Sequence, residues 1–441
     1  MVLLVGTGLY LTVRFGLVQF RGFGHAISVI CGEHDDPNDP GEISHFQALC
    51  SALSGTIGLG NVVGVAAAIL MGGPGAVFWM WVTALVGMAS KFTSCTLAVH
   101  YRRIDETGEA HGGPMHYITI GMGRKFKPLA VFFCIFTIFA GFGMGNMFQI
   151  NNLTANLYRL IGPSETQASI VFKLVVGIVM AVVVGSVILG GIKSIGRFVS
   201  KIVPFMCIFY LFAGLLIIFK NYTEIPKAFS TIFYYAFHAP ESVAGGLLGS
   251  VIRQGVARGL FSNEAGLGSA AMAHGAAKTK EPVREGLVAM LGPFIDTIVI
   301  CSITAIVIVI TRGYEICDNK SVLTCKSFEL GLGQVWGSKM VSVAIIFFAL
   351  STIITWSYYG DRAADFMFGK RAVKPYRFIY LGFIVLGSCM TIEVVIDFCD
   401  AMNGLMAIPN LIAILALSSQ VGRLTKDYFA RMGVKGKRHF S

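Results

Sequence analysis

Residues 54–68 read SGTIGLGNVVGVAAA and lie inside an apolar segment of about residues 46–71, which is long enough to cross a bilayer as a helix. Three glycines disfavour a regular helix at its centre, and three polar side chains lie at membrane depth. A helix that unwinds there exposes backbone carbonyls and a half-helix N-terminus, which can bind a cation and a carboxylate. The residues concerned are Gly55, Gly58 and Gly60, and Ser54, Thr56 and Asn61.

A second segment repeats this pattern in the other half of the chain. Residues 259–271 read GLFSNEAGLGSAA, and the Gly-Leu-Gly triplet of residues 58–60 recurs at residues 266–268. Two interrupted membrane segments, one in each half of the chain, indicate the binding site of a transporter. The alternative is that the glycines only allow close helix packing. The asparagine and hydroxyl side chains at both interruptions favour the binding site.

The composition is that of a polytopic membrane protein. Of the 441 residues, 55% are hydrophobic and only 13% are charged, whereas soluble domains carry about 25% charged residues. The net charge of +11 does not by itself indicate a nucleic-acid partner, because basic residues in membrane proteins report topology. The ten cysteines show no zinc-ligand spacing.

Eleven apolar segments can be distinguished, and the first is too short to span a bilayer alone, so we interpret it as the remainder of a spanning helix. Segments two to six and seven to eleven form two sets of five, each opening with an interrupted helix. Because five is odd, the second set enters the membrane from the opposite side, as an inverted repeat requires. The segments are residues 1–13, 45–70, 75–99, 128–155, 168–190, 198–219, 245–275, 286–311, 338–360, 376–395 and 400–420.

We therefore predict an all-α membrane protein of about eleven transmembrane helices, built as one leading helix plus five plus five. The predicted parts are a leading helix with a cytoplasmic loop (1–43), a first repeat (44–220), a second repeat (245–420) and a basic cytoplasmic tail (421–441).

The distribution of Lys and Arg predicts the orientation. If the loop of residues 14–44 is cytoplasmic and the segments alternate, 24 basic residues lie inside and 7 lie outside. This asymmetry places the N-terminus outside and the C-terminus in the cytoplasm. The basic loops are thus explained by topology, and we expect no nucleic-acid partner.

Two outer loops carry further features. Cys317 and Cys325 share a polar loop on the predicted outer face. A disulfide is permitted there, and a reduced pair is equally compatible with the sequence. The loop of residues 220–244 is rich in aromatic residues and is interpreted as an interfacial belt or a re-entrant lid.

Amides and hydroxyls in two other segments are candidate ligands. Gln149 and Asn152 lie on one helical face; they either line a vestibule or bond a neighbouring helix. We favour a functional Gln149, because an amide can bind both the amine and the carboxylate of an amino acid. Ser351 and Thr352 gain importance if they face the first interruption, where free carbonyls would complete an oxygen cage for a hard cation.

Charged residues are few in the apolar segments, and three of them are singled out. Glu264, in the second interruption, is either a proton or ion site or a residue that holds the break by capping half-helix amides; we favour the second role. Asp296 needs a partner that the sequence does not identify, and Lys91 is expected to snorkel to the cytoplasmic surface. Without a nucleophile–base arrangement, a metal cluster or a phosphate loop, the chain is not expected to be an enzyme.

Several runs resemble the alanine or glycine:cation symporter family, and together they span nearly the whole chain. The longest is GGPGAVFWMW at residues 72–81, followed by Gly87-Met88 and Lys91-Phe92. The others are GGPM at residues 112–115, SNEAG at residues 262–266 and TWSYYG at residues 355–360. Ser94 departs from the family pattern, which usually has a glutamate there and would give Lys91 an ion-pair partner.

This resemblance implies a sodium:alanine or sodium:glycine symporter of the bacterial inner membrane with a LeuT-type inverted-repeat fold. It implies that amides around Gly58 and Gly60, near Thr56 and Asn61, take the substrate carboxylate. The resemblance also implies that the carbonyls of Ser54 and Ile57 and the hydroxyls of Ser351 and Thr352 hold one sodium ion. The expected substrate-lining residues of the second break are Phe261, Ser262 and Gly266, and those flanking the pocket are Phe148, Phe261 and Trp356.

The predicted function is therefore sodium-coupled import of a small neutral amino acid by alternating access. Proton coupling through Glu264 or Asp296 is the first alternative. A channel or a substrate sensor is the second, although the sequence shows neither a ring of pore-lining groups nor a soluble output domain.

Overall fold

The computed structural model describes residues 1–161, 168–238 and 248–432, and these are almost entirely helical. A two-stranded antiparallel hairpin, β1 (Arg103–Ile104) and β2 (Ala110–His111), pairs Arg103 with His111. The helices are α1 (Val2–Arg14), α2 (Val18–Arg21), α3 (Phe23–Ile30), α4 (His45–Thr56), α5 (Val63–Gly72), α6 (Ala76–His100), α7 (Pro114–His116), α8 (Lys127–Phe142), α9 (Phe148–Ile161), α10 (Ile170–Ile188), α11 (Gly191–Lys220), α12 (Ile225–Phe237), α13 (Leu248–Asn263), α14 (Ala270–His274), α15 (Pro282–Pro293), α16 (Ser302–Ile310), α17 (Leu323–Leu332), α18 (Gln334–Phe368), α19 (Val373–Cys389), α20 (Ile392–Ala416) and α21 (Ser418–Met432).

Each of the eleven apolar segments contains helix. Within the described residues, six helical stretches are long and apolar enough to cross a membrane, or eight if each of two bent helix pairs counts as one span. The figure of eleven spans therefore stays a prediction, and residues 245–247 of the seventh segment lie outside the described residues. The structure confirms an all-helical membrane protein.

Both predicted interruptions are present. The helix pair α4 and α5 is bent by 58°, with only a 3₁₀ turn, Leu59–Asn61, between its halves. In the second interruption the chain leaves α13 after Asn263 and resumes helix in α14 at Ala270. Glu264, Gly266 and Gly268 have φ values of +53°, +87° and +89°, and such left-handed backbone is accessible to glycine at little cost.

The long helix α6 packs along α15 and α13, and α18 packs against α17, α8 and α11. Lys91, in the middle of this packing on α6, is only 2% exposed. Its ammonium has no hydrogen-bond partner among the described residues. The expectation that Lys91 snorkels to the surface is thus wrong, because the neighbouring helices enclose the whole side chain.

The peripheral predictions have mixed outcomes. Residues 225–237 of the aromatic loop form α12, whose Ala236 carbonyl accepts a hydrogen bond from Trp79 Nε1 at 3.0 Å, while residues 239–244 lie outside the described residues. Cys317 and Cys325 are free thiols. Of the predicted tail, residues 421–432 belong to α21, and residues 433–441 lie outside the described residues.

Candidate functional site

The two interrupted helices touch each other at the centre of the molecule. A Cβ atom added to Gly60 would lie 3.3 Å from Ser262 Cα and 3.5 Å from the Phe261 ring. Glycine at position 60 therefore permits this close approach of the two unwound segments. Asn61 and Ser262 are both fully buried, so the contact excludes solvent.

Asp296 joins the two breaks through its carboxylate. Asn61 Nδ2 donates to Asp296 Oδ1 at 2.7 Å, and Ser262 Oγ donates to Asp296 Oδ2 at 2.8 Å. Thr297 Oγ1 donates to the same oxygen at 2.8 Å. Asp296 belongs to a π-helical stretch, Phe294–Cys301, between α15 and α16, and such turns re-aim side chains at functional sites. The sequence did not identify a partner for Asp296. The structure shows one in each break, Asn61 in the first and Ser262 in the second.

Gln149 contacts the first break, as expected of a functional residue. Its Oε1 accepts a hydrogen bond from the Leu59 amide at 3.4 Å, and its Nε2 donates to the Met144 carbonyl at 3.2 Å. A Cβ atom on Gly58 would lie 3.4 Å from Gln149 Oε1. Asn152, on the same face, instead donates to the Phe148 carbonyl of its own helix at 2.9 Å.

Ser54 and Thr352, two of the residues predicted to bind sodium, meet where α4 packs against α18, whereas the Ser351 hydroxyl donates to the Phe348 carbonyl of its own helix at 3.1 Å. Thr352 Oγ1 donates to the Ser54 carbonyl at 2.9 Å, and Ser54 Oγ donates to the Ser351 carbonyl at 2.7 Å. Ile57 is the residue that follows the last turn of α4. Ser54, Ser351 and Thr352 are all buried. The cluster is rich in uncharged oxygen atoms, which is the chemistry that hard cations prefer.

Glu264 and Trp356 form a second link between the breaks. Trp356 Nε1 lies 3.3 Å from the Gly55 carbonyl and 3.2 Å from Glu264 Oε1, so the indole N–H is shared between α4 and the second break. Ser269 Oγ donates to Glu264 Oε2 at 2.5 Å. Both of these partners of the Glu264 carboxylate are side chains, so the capping of half-helix amides that we favoured stays a prediction.

Three expected substrate contacts have other partners in this structure. The Gly58 amide donates to Asn61 Oδ1 at 3.0 Å, and the Thr56 hydroxyl lies 3.2 Å from the Leu53 carbonyl of its own helix. The Gly266 carbonyl accepts from Asn410 Nδ2 at 2.8 Å. A Cβ atom on Gly266 would meet Leu4 of α1 at 2.5 Å, so this glycine packs against α1 and α20, away from the first break.

Two aromatic rings lie beside the breaks. Phe148 and Phe261 pack edge to face with their centroids 5.7 Å apart. Phe261 also lines a cavity of about 380 Å³ together with Arg258 and Asn403. Phe261 directly precedes Ser262, so the lining of this cavity and the contact between the breaks are adjacent along the chain.

Sequence reasoning missed a buried cluster at the other end of the two broken helices. Glu285 on α15 accepts hydrogen bonds from His45 at the start of α4 and from His274 at the end of α14. All three side chains are buried. A histidine at the polar edge of an apolar segment was the only available signal, and it does not reveal a partner 240 residues away.

The chain is similar to known proteins over nearly its whole length. A model described as "Sodium:alanine symporter family" matches residues 1–441. The chain belongs to the sodium:alanine symporter family. The sodium/alanine symporter AgcS of Methanococcus maripaludis is 43% identical over 435 residues, covering 97% of this chain and 93% of that protein. The probable sodium/glutamine symporter GlnT of Bacillus subtilis is 35% identical over 429 residues, covering 97% and 87%.

Solved structures agree on the fold of this family member. MhsT in complex with L-phenylalanine matches with a TM-score of 0.61 and 14% identity, covering 88% of this chain and 92% of that chain. A manganese transporter mutant of Eremococcus coleocola matches with a TM-score of 0.52, covering 90% and 82%. The fold is thus the LeuT type that the resemblance implied, and as a symporter family member the protein is a transporter and not an enzyme.

Proposed function

We propose that this protein couples the entry of sodium to the import of a small neutral amino acid, alanine or glycine. The observation that carries the proposal is the contact between two unwound helices, held together by Asp296 and bordered by Gln149 and a buried oxygen cluster. An unwound pair of this kind is where transporters of broken-helix design hold substrate and ion.

Sodium would bind between the first break and α18. The Ser54 and Ile57 carbonyls and the Thr352 hydroxyl would supply uncharged oxygen ligands, which suit a hard monovalent cation that must also be released. The Ser351 hydroxyl would join them by turning away from the Phe348 carbonyl. The direct hydrogen bond between Thr352 and the Ser54 carbonyl shows that these two ligands are already adjacent. Sodium bound there would hold α4 against α18.

The amino acid would bind between Gln149 and the two breaks. The Gln149 side chain can accept from an ammonium group and donate to a carboxylate, and the substrate would replace its present bond to the Leu59 amide. Phe148 and Phe261 would cover the small side chain, and the close approach of Gly60 to Ser262 favours a substrate of few carbons. Asn61 and Trp356 would border this space. Thr56, Gly58 and Gly266 have other partners in this structure and would act only through the conformation of the breaks.

The transport cycle follows from the repeat architecture. We assign residues 44–220 and 245–420 to two inverted repeats, whose relative rocking would expose the site to one side at a time. The orientation with the N-terminus outside and the C-terminus in the cytoplasm of an inner-membrane protein rests on the Lys and Arg distribution. Sodium and substrate would favour the same closed state, so each raises the affinity for the other.

Proton coupling is the second candidate. One observation that supports it is the buried carboxylate of Glu264 inside the second break. The other is that a relative of Bacillus subtilis, YrbD, is described as a putative sodium/proton-dependent alanine carrier and is 34% identical over 443 residues. In this reading, Glu264 would carry a proton in the cycle and release it on the cytoplasmic side.

Uptake of labelled alanine into proteoliposomes distinguishes the two candidates. We expect accumulation with an inward sodium gradient and none with potassium at matched pH and voltage. Accumulation that follows a pH gradient and ignores sodium would overturn the proposal in favour of the proton reading. Failure of both gradients, with glycine and glutamine also tested, would overturn coupled transport of these amino acids.

The sodium site has its own prediction. Thr352→Val removes a hydroxyl oxygen of the proposed ligand set, so the sodium concentration for half-maximal uptake should rise about tenfold, which corresponds to about 1.4 kcal/mol. Ser357→Ala is the matched control, because its hydroxyl on the same helix only donates to the Ile354 carbonyl. Equal sodium dependence in the two variants would contradict this site.

A further inference from the structure

A polar cavity of about 250 Å³ opens beside the first turn of α11, remote from the contact between the breaks. It lies where the hairpin β1–β2, the last turns of α18 and the start of α19 meet α11. The predicted topology places this end of the molecule at the cytoplasmic membrane surface. The lining residues are Glu42, Thr107, Glu109, Gly190, Gly191, Ile192, Lys193, Tyr358, Arg362 and Arg377.

The N-terminus of α11 contributes a positive potential to this cavity. The 30-residue helix starts at Gly191, and no side chain caps it. Unpaired N–H groups at a helix start carry partial positive charge and favour acidic neighbours. The first turn of α11 contains no acidic residue and instead carries Lys193, so this helix end gathers positive charge that an anion would offset.

Tyr358 is the second and independent observation. Its side chain is 2% exposed, it lines the cavity, and its hydroxyl has no hydrogen-bond partner among the described residues. Buried hydroxyls are almost always hydrogen-bonded, since an unsatisfied one costs about 1–3 kcal/mol. Arg362 lies against the Tyr358 ring, and its Nε likewise lacks a partner within the described chain.

The carboxylates of the cavity are already engaged. Glu109 lies 2.8 Å from Arg362 and 2.9 Å from Lys370. Glu42 accepts from the Ala110 amide at 3.0 Å, and burial raises the pKa of this carboxyl. Lys193, in contrast, forms no ion pair with any residue that the structure describes.

Arg377 extends the positive surface to the first residue of α11. A Cβ atom on Gly191 would lie 3.8 Å from Arg377 Nη2, and Arg377 Nη1 donates to the Leu189 carbonyl at 3.2 Å. Its charge is offset by Asp361, 2.7 Å away.

Glu42 lies close enough to Lys193 to be affected by its charge, although no ion pair joins them. Lys193 and the start of α11 therefore supply positive potential to the cavity, which the two glutamates of its lining offset in part.

We propose that this cavity binds a phosphate group, supplied either by an anionic phospholipid headgroup or by free phosphate. The α11 amides and Lys193 would contact the phosphate oxygens, and Tyr358 would donate its hydroxyl proton to one of them. Leu189, 55% exposed at the end of α10, lies beside the cavity, where an acyl chain could continue along the helix. The inference is independent of the transported substrate.

The test uses the purified full chain after removal of lipid. Native mass spectrometry would count bound phosphatidylglycerol, with diacylglycerol as the comparison that lacks a phosphate. A parallel arm would measure the unfolding temperature in inorganic phosphate and in chloride at equal ionic strength. The variants are Lys193→Gln, Tyr358→Phe and their combination, and the control is Arg197→Gln, an exposed charge on the same helix outside the cavity.

We expect the double variant to bind phosphatidylglycerol at least tenfold more weakly than wild type, and the control to bind as wild type does. A phosphate-specific rise in unfolding temperature that is lost in the variants, without a loss of lipid binding, would assign free phosphate as the ligand. Equal lipid binding by wild type and all variants, together with no phosphate-specific stabilisation, overturns the proposal. If the double variant does not elute as a folded protein, the same binding measurements are made on the two single variants.

Discussion

Single side chains hold the unwound backbone in this protein. Asn61 is the clearest case, because its Oδ1 accepts from the Gly58 amide while its Nδ2 donates to Asp296. Backbone groups freed by a break inside a membrane must find such partners, since water is absent. Gln149 likewise accepts a hydrogen bond from the Leu59 amide. The proposed function requires that a group of the substrate take the place of Gln149 in this bond.

The first prediction concerns Gln149. Gln149→Ala should weaken alanine binding about tenfold or more, or about 1.4 kcal/mol, because the substrate loses a donor and an acceptor in a buried site. The measurement is isothermal titration of alanine in the presence of sodium. Asn152→Ala is the control, since Asn152 bonds only its own helix; a loss as large in this variant would show that Gln149 has no special role.

At the scale of elements, the two broken helices are joined at two places. Asp296 joins their unwound centres, and Glu285 joins the start of α4 to the end of α14 through His45 and His274. A carboxylate shared by two helices makes their positions interdependent, because separating them leaves a buried charge without partners. Movement of one half-helix is thus expected to move the other.

Asp296→Ala tests this link. Asn61, Ser262 and Thr297 would each lose a carboxylate acceptor, while Asn61 keeps the backbone carbonyl of residue 296 at 3.1 Å. Because a buried donor that loses its partner costs about 1–3 kcal/mol, the apparent unfolding temperature should fall clearly. Thr311→Val is the control, because its hydroxyl returns to the Val307 carbonyl of its own helix. If both variants unfold at the same temperature in detergent, the link contributes no stability.

At the scale of the whole molecule, the hairpin β1–β2 connects distant parts of the chain at the predicted cytoplasmic end. His111 lies 3.1 Å from Asp365 of α18 and 3.3 Å from Asp105, and Lys370 lies 2.6 Å from Asp105. Asp105, Glu109 and His111 are close enough together to suggest a metal site. Lys370 and Arg362 already neutralise these carboxylates, so we interpret the group as an ionic latch.

This latch predicts a pH dependence. The hydrogen bond to Asp365 raises the pKa of His111 above its ordinary value of 6.5. The stabilisation by the imidazolium is therefore complete below pH 6.5 and is lost as the pH rises through the higher folded-state pKa. We expect wild type to exceed His111→Gln in stability by about 1 kcal/mol near pH 6, and by less at pH 9, as measured by unfolding temperature.

His116→Gln provides a control with the opposite sign. Burial lowers the pKa of His116 to about 4, so its neutral form is favoured in the folded state and its contribution falls only as the pH drops below 6.5. Between pH 7 and pH 9 the difference between this variant and wild type should stay constant. A His111→Gln difference that is equally flat would contradict the latch.

The sequence alone determined the class of the protein and the two breaks, and it singled out the residues that we propose as oxygen ligands. These features depend on local composition: glycine runs weaken a helix wherever they occur, and apolar length decides whether a helix spans. Ser54, Gln149, Ser351 and Thr352 could be singled out because polar side chains are rare in apolar segments. The family resemblance added the coupling ion and the amino-acid substrate as expectations.

Only the tertiary structure decided which polar groups meet. Asn61 and Asp296 are 235 residues apart in sequence, so no local pattern pairs them. Gly266 matches its counterpart Gly58 in sequence yet packs against Leu4, and Lys91 is enclosed where snorkelling was expected. Helix formation depends on neighbours along the chain, whereas the direction in which a side chain is buried depends on the packing of helices that are distant in sequence.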